Sequence, residues 1–366
     1  MVIFSGPQHA KKSGGSGDEG DDSPYAAGEL ALEGFNQGMG AFVPDLFFEQ
    51  LTKNFARVRH IYGERLVRLL TGFDSSQIER NARYPEFRKM LREALRQRHD
   101  QLKDQDIFSE QNALTEEAVR LAALELLARA DVEQAGARSA VRGAEGDATG
   151  HRQYRTGDTY RDVDVKASVR SIIRKGKKKM DLDDLHVAVR SRHQGAQIMF
   201  ALDASVSMRG DKIGISKQAG VALAAHAAAH KDRVGVVVFA QDVQSCTGPT
   251  LQVKDVAQHL ARASPAGQTD IARMLYEVAD VFTSSRKKHI VVITDALPTV
   301  GSPQEVVDAV IFLAKSKIST SVVGIDLDDA GEKLAQDMVS VGNGRLYVVK
   351  NVGDIPTLVL KDYQAL

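Results

Sequence analysis

A single cysteine, Cys246, stands among 366 residues. No intrachain disulfide and no cysteine-rich metal site can form, and one thiol suits a reducing compartment. Net charge is missing too. Lys plus Arg number 48 and Asp plus Glu number 48, so no overall field draws the chain to nucleic acid or acidic membranes. There is no long apolar run. The longest, VALAAHAAAH at 221–230, is too short and too rich in Ala and His to span a bilayer. The opening MVIF is too short for a signal-peptide core. No G-x-x-x-x-G-K-[ST] loop occurs, which excludes P-loop ATP binding, and no G-x-S-x-G elbow occurs either. These absences predict a soluble, cytoplasmic protein with no membrane span and no nucleic-acid partner.

What is present falls into segments. Residues 10–28, AKKSGGSGDEGDDSPYAAG, hold almost no large apolar residue and cannot order themselves by burial. We expect a flexible N-terminal arm over 1–43. From 44 to 132 the apolar spacing is helical. Phe47, Phe48, Leu51, Phe55, Val58 and Ile61 recur at steps of one, three and four. TEEAVRLAALELLARA at 115–130 adds a Thr cap and acids in its first turn. Residues 133–150 are rich in Gly and Ala and predict a linker. Residues 151–195 form a strand/helix element leading onward. It carries the basic run 174–179, RKGKKK. That run has no interleaved aromatics and adjoins MDLDD, so it reads as a solvated turn.

From 196 to 366 the rhythm changes to apolar, β-branched runs alternating with amphipathic helices. The runs are QIMFALD, RVGVVVFA, KHIVVITDA, TSVVGID and RLYVVKN. Strands apolar on both faces predict an α/β fold with a doubly wound, mostly parallel sheet covered by helices on both sides. The span 196–366 includes a C-terminal extension after the last run.

Ligands of such sheets sit beyond the carboxyl ends of the strands. Three loops there are informative: Asp203-Ala-Ser205-Val-Ser207, Gly267-Gln-Thr269-Asp270, and Thr294-Asp295. They offer carboxylates and hydroxyls, with no His or Cys nearby in sequence. Oxygen-only ligation suits Mg²⁺, Mn²⁺ or Ca²⁺ rather than zinc or copper. Pure turn chemistry would also accept Asp and Ser. His226 and His230 share a helix face at i, i+4. No H-E-x-x-H accompanies them, so they read as dipole partners rather than metal ligands.

The D-x-S-x-S stretch, with a distant Thr and a distant Asp, resembles the metal-ion-dependent adhesion site (MIDAS) of von Willebrand factor A domains. The resemblance covers about 196–351. It implies a Rossmann-like fold and a metal set of Asp203, Ser205, Ser207, Thr269 and Asp295. Ser205 and Ser207 would bind the ion directly, Thr269 directly or through water, and the two aspartates often through water. A partner Glu or Asp would complete the coordination. The family usually has Gly where this chain has Val206, and a positive φ there would strain a β-branched residue.

The preceding stretch, with Tyr154, Gly157, Asp158, Arg161, Asp162 and Asp164, resembles prokaryotic A-domain proteins linked to MoxR-type AAA+ ATPases. It also resembles the C-terminal half of the magnesium chelatase D subunit. The resemblance implies a protein-binding adaptor or co-chaperone without catalytic activity of its own, partnered by a MoxR-type ATPase or that machine's client. The alternatives are a chelatase D-like subunit and a metal-dependent phosphohydrolase. The latter would want a second Asp at the place held by Ser205.

Overall fold

The computed structural model describes residues 24–137, 148–154, 164–165, 168–169, 184–190, 195–283, 287–295 and 298–366. The chain divides into two compact units. One joins the chain up to Gln134 with Gln197–Leu366, and the other is Ala135–Ala196.

The smaller unit contains an antiparallel pair, β1 (Ala148–Gln153) and β2 (His186–Arg190). The Tyr154 amide donates to the Leu185 carbonyl and the Asp164 amide to that of His186, each at 2.8 Å. Gly157, Asp158, Arg161, Asp162 and the basic run 174–179 lie outside the described residues.

In the larger unit six helices come first: α1 (Pro24–Asn36), α2 (Pro44–Lys53), α3 (Phe55–Thr71), α4 (Ser75–Asn81), α5 (Pro85–Asp104) and α6 (Glu116–Ala137). The arm expected over 1–43 is therefore helical from Pro24. The reason is local: Leu30, Ala31 and Leu32 are apolar and fully buried, a cluster that a Gly- and Ser-rich average concealed. The linker expected from 133 likewise begins as the last turns of α6, and its end is already β1. Phe42, Phe47, Phe73 and Phe87 form aromatic contacts in the helical core. Within α3, Gly63 takes φ 71 and ψ 157, a left-handed kink that a side chain would strain.

The sheet follows. It contains β3 (Gln197–Asp203), β4 (Arg233–Phe239), β5 (Val243–Thr250), β6 (Lys288–Thr294), β7 (Ile318–Ile325) and β8 (Leu346–Val349). The strand order is β5-β4-β3-β6-β7-β8. All neighbours are parallel except β5, which runs antiparallel to β4 at the edge. The β5 sequence, VQSCTGPT, alternates half-buried with exposed residues, as a strand covered on one face does. Its mixed composition hid it from the apolar-run pattern. Between the strands lie α7 (Asp211–Ala229), α8 (Val253–Arg262), α9 (Ile271–Ala279), α10 (Pro303–Lys315) and α11 (Asp329–Gly342), and α12 (Ile355–Gln364) follows β8.

One sheet face packs Met199, Val237, Ile290 and Val322 against α9, α10 and α11. α7, α8 and α12 also lie against the strands. Gly220 lets α7 come close: a Cβ there would stand 2.9 Å from the Phe200 ring. Helix starts are written in the sequence. Ser302 and Glu305 form a capping box before α10, and Asp270 and Asp328 cap α9 and α11.

α1 packs on α7 and α8 as well as on α3. The Gly210 amide donates to the Asn36 carbonyl at 3.0 Å. Arg262 of α8 grips Glu116 of α6 with both guanidinium nitrogens. Lys217 is fully buried, with its ammonium 3.3 Å from the Ala261 carbonyl. Burial pushes it down to about 7, opposed by the charge of Glu33.

Far from the strands' carboxyl ends, Asp362 ties α12 to the sheet. It accepts from Ser321 Oγ at 2.8 Å and pairs with His289 Nε2 at 2.8 Å. Burial raises its carboxyl, but hydrogen bonds from His289 and Ser321 and the charges around it leave it below the ordinary value. A depressed folded value means stability that is present above the unfolded value and lost as pH falls through the folded one. Asp362→Ala is expected to cost about 3 kcal/mol near neutral pH, because it orphans buried partners. Urea denaturation at stepped pH should show that difference shrinking as pH falls from about 3.8 through the lower folded value, where the wild-type carboxylate takes up its proton.

Candidate functional site

β3 is the strand at which the winding reverses. The chain leaves it for β4 on one side and later returns to pair β6 on the other. Crevices in open parallel sheets form at such switch points. The last residue of β3 is Asp203, in register with Phe239 of β4, while Leu202 is in register with Ile293 of β6. That registry sets Thr294 and Asp295 beside Asp203.

Asp203 is completely buried. Its Oδ1 accepts from the Ser205 amide at 2.8 Å and its Oδ2 from Thr294 Oγ1 at 2.6 Å. Burial pushes its carboxyl up to about 6; the Thr294 and Ser205 hydrogen bonds oppose the rise, and the charge of Asp295 adds to it. Ser205 Oγ stands 3.1 Å from Ser207 Oγ, and Ser207 Oγ donates to Asp295 Oδ1 at 2.7 Å. Four of the five residues singled out in the sequence thus form one chain of hydrogen bonds.

Thr269 reaches the same edge through the backbone of its loop. The Val206 amide donates to the Gly267 carbonyl at 3.4 Å, and the Ala266 amide to that of Ala204 at 2.8 Å. Thr269 itself is buried, and its amide donates to Thr299 Oγ1 at 2.8 Å.

Val206 is not strained. It begins a short 3₁₀ turn, Val206–Met208, and lies outside the set of residues with positive φ. Its side chain is 48% exposed, so a β-branched residue fits where Gly was expected.

Sequence reasoning missed Lys212 and Asp326, and it named Thr294 only within the Asp295 loop, outside the metal set. Lys212 Nζ lies 2.9 Å from Asp295 Oδ2 and 3.4 Å from Asp326 Oδ2. Burial lowers the Lys212 ammonium, but the hydrogen bonds and charges of Asp295 and Asp326 outweigh it and hold the group above its ordinary value. Thr294 directly precedes Asp295, and Lys212 is the second residue of a largely buried helix. Neither type is distinctive alone. A cleft of about 670 Å³ opens beside Ser207, walled on its far side by His60, Gly63 and Glu64 of α3.

The His226 and His230 rings are tilted to one another with centroids 4.9 Å apart, and His226 meets Tyr363 edge-on; His230 Nδ1 lies 2.8 Å from the His226 carbonyl. Among the described residues no three His, Cys, Asp or Glu side chains gather as a metal cluster. No described helix is long and apolar enough to cross a membrane.

Residues 197–361 match the family model of the von Willebrand factor type A domain. This part of the chain is similar to that domain family. An uncharacterised protein of Mycobacterium tuberculosis, Rv2850c, is 31% identical over 127 residues, covering 32% of this chain and 20% of that protein. The chain therefore spans about a fifth of the length of that curated relative. Among solved structures, an aerotolerance-related membrane protein from Bacteroides fragilis is 24% identical, covering 47% of this chain and 100% of that one at a TM-score of 0.40. The conserved hypothetical protein BatB from Bacteroides thetaiotaomicron is 22% identical, covering 47% and 98% at a TM-score of 0.41.

The buried carboxylate gives the sheet unit a pH signature. Asp203 has an ordinary value of 3.8 and a folded value of about 6, so the folded chain holds the proton more tightly. Acidification between those values stabilises the fold. Above them the buried charge costs on the order of 3 kcal/mol. With a chelator present, Asp203→Asn is expected to melt above wild type near pH 7.5. The gap should close as pH falls from about 6 to about 4, and a pH-independent gap in calorimetric scans would refute the assignment.

Proposed function

We propose that the A-domain-like region is a metal-ion-dependent protein-binding module. The observation that carries this is the continuous array Asp203–Ser205–Ser207–Asp295, made of oxygen donors alone, at the switch point of the sheet. Such donors fit Mg²⁺, with Mn²⁺ or Ca²⁺ as substitutes. Ser205 and Ser207 would hold the ion through their hydroxyls, Thr269 would join from the neighbouring loop, and Asp203 and Asp295 would orient the hydroxyls and bound water. When bound, the ion supplies an electrophilic centre for an incoming carboxylate. Asp203 does its part from within: both its oxygens are engaged by Thr294 and Ser205, so it shapes the loop rather than meeting the ligand.

The partner in this reading presents a Glu or Asp side chain. The cleft beside Ser207 leaves room for the segment that carries it. We place the protein as an adaptor or co-chaperone of a MoxR-type AAA+ ATPase or of that machine's client, on the resemblance of the stretch around Tyr154 and Asp164. A chelatase D-like subunit would use the same grip in a metal-insertion complex, and the AAA+ partner recovered separates the two. The phosphohydrolase alternative asks Asp203 to act as a nucleophile. Its complete burial, with both oxygens hydrogen-bonded, argues against that role.

The double variant Ser205→Ala/Asp295→Ala is expected to weaken Mg²⁺ or Mn²⁺ binding at least tenfold by titration calorimetry, two donors having been lost. Its far-ultraviolet circular dichroism should stay that of the wild type. Partner capture from a lysate should need the ion and fail in EDTA. A wild-type chain that binds no divalent ion, with or without partner, would end this reading.

A further inference from the structure

Lys212 is the feature of the site that the proposed function does not use. It is the second residue of α7, whose start is set by the hydrogen bond from the Gly210 amide to the Asn36 carbonyl. Its ammonium reaches across the sheet edge to Asp295 Oδ2 at 2.9 Å. The other oxygen of that carboxylate accepts from Ser207 Oγ. The Asp295 side chain is only 2% exposed, while that of Lys212 is 27% exposed. A nearly buried carboxylate thus has a hydroxyl donor on one side and a tethered cation on the other.

The third member is Asp326, just past β7. It has φ 51, a left-handed backbone that few non-glycine residues adopt. From there its carboxylate lies 3.4 Å from the same ammonium, and it is 57% exposed. Lys212 therefore has two carboxylates in reach, one inside the site and one at its rim.

We infer that Lys212 is a tethered counter-cation of the site, holding Asp295 in place without a metal and opposing a divalent ion that shares that carboxylate. This rests on the metal-binding reading above. The physical reason is competition for one negative charge. An ion held by Ser205 and Ser207 comes near Asp295, and so near the ammonium, where like charges repel strongly at low effective dielectric. Asp326 gives the ammonium an alternative partner, so it can yield Asp295 without being stranded. The site then stays assembled when empty and takes up its ion reversibly.

Two consequences are measurable on the full chain with Mn²⁺ as the probe. Lys212→Gln removes the charge but keeps a polar, similar-sized side chain at a part-exposed position. Calorimetry should show it binding Mn²⁺ at least about tenfold more tightly than wild type, whereas Lys212→Arg, which keeps the charge, should stay within about threefold. With a chelator instead of Mn²⁺, Lys212→Gln should melt below wild type, because Asp295 has lost its counter-charge. Adding Asp295→Asn should then recover most of that loss. Mn²⁺ should raise the melting temperature of Lys212→Gln more than that of wild type, as tighter binding requires.

Equal or weaker Mn²⁺ binding by Lys212→Gln would overturn the inference and leave the metal site standing. So would wild-type melting of that variant in chelator. If none of the three proteins binds Mn²⁺, the metal-binding reading fails and this inference fails with it.

Discussion

The parallel pairing of β3 with β4 on one side and β6 on the other is the constraint from which the site follows. It buries a strand that is apolar on both faces and forces its last residue, Asp203, into the reversal of the winding order. The next strand over ends on Thr294, which meets Asp203 at 2.6 Å. The loop after β3 then folds back on its own carboxylate, through the Ser205 amide, and turns Ser205 and Ser207 toward Asp295. The Ser207 hydroxyl is aimed by Asp295, a contact set by strand register, while that of Ser205 is aimed within its own loop.

Polar groups are concentrated at opposite ends of this sheet, with different effects. At the carboxyl ends, Asp203 is buried where its charge is unfavourable, and its carboxyl is raised to about 6. At the other end, Asp362 is buried where His289, Ser321 and Arg345 favour its charge, and its carboxyl is depressed. The first arrangement holds an unfavourable buried charge, which a cation would relieve in the proposed metal-binding reading. The second locks the C-terminal helix to the sheet. Burial alone does not separate a site from a structural tie; the sign of the neighbouring charges does.

The helices ahead of the sheet take part in this architecture. α1 abuts the turn leading into α7, and α3 forms one wall of the cleft beside Ser207. A ligand approaching the hydroxyls meets two surfaces from distant parts of the sequence. In the proposed binding reading, the helical region would bear on partner choice through that wall.

Apolar, β-branched runs between amphipathic helices determined the α/β class, and the spacing D-x-S-x-S with a later Thr and Asp determined which side chains assemble at the sheet edge. Those signals are local or periodic, so one chain read in order shows them. Other features depended on the tertiary structure. α1 is helical because Leu30, Ala31 and Leu32 find neighbours, β5 is a strand because β4 offers an edge, and Val206 is relaxed because the loop forms a 3₁₀ turn. Lys212 meets Asp295 and Asp326 only when α7, β6 and β7 are side by side. A lysine on a helix carries no mark of its partner, because a salt bridge between residues 83 positions apart is set by packing geometry and by no pattern along the chain.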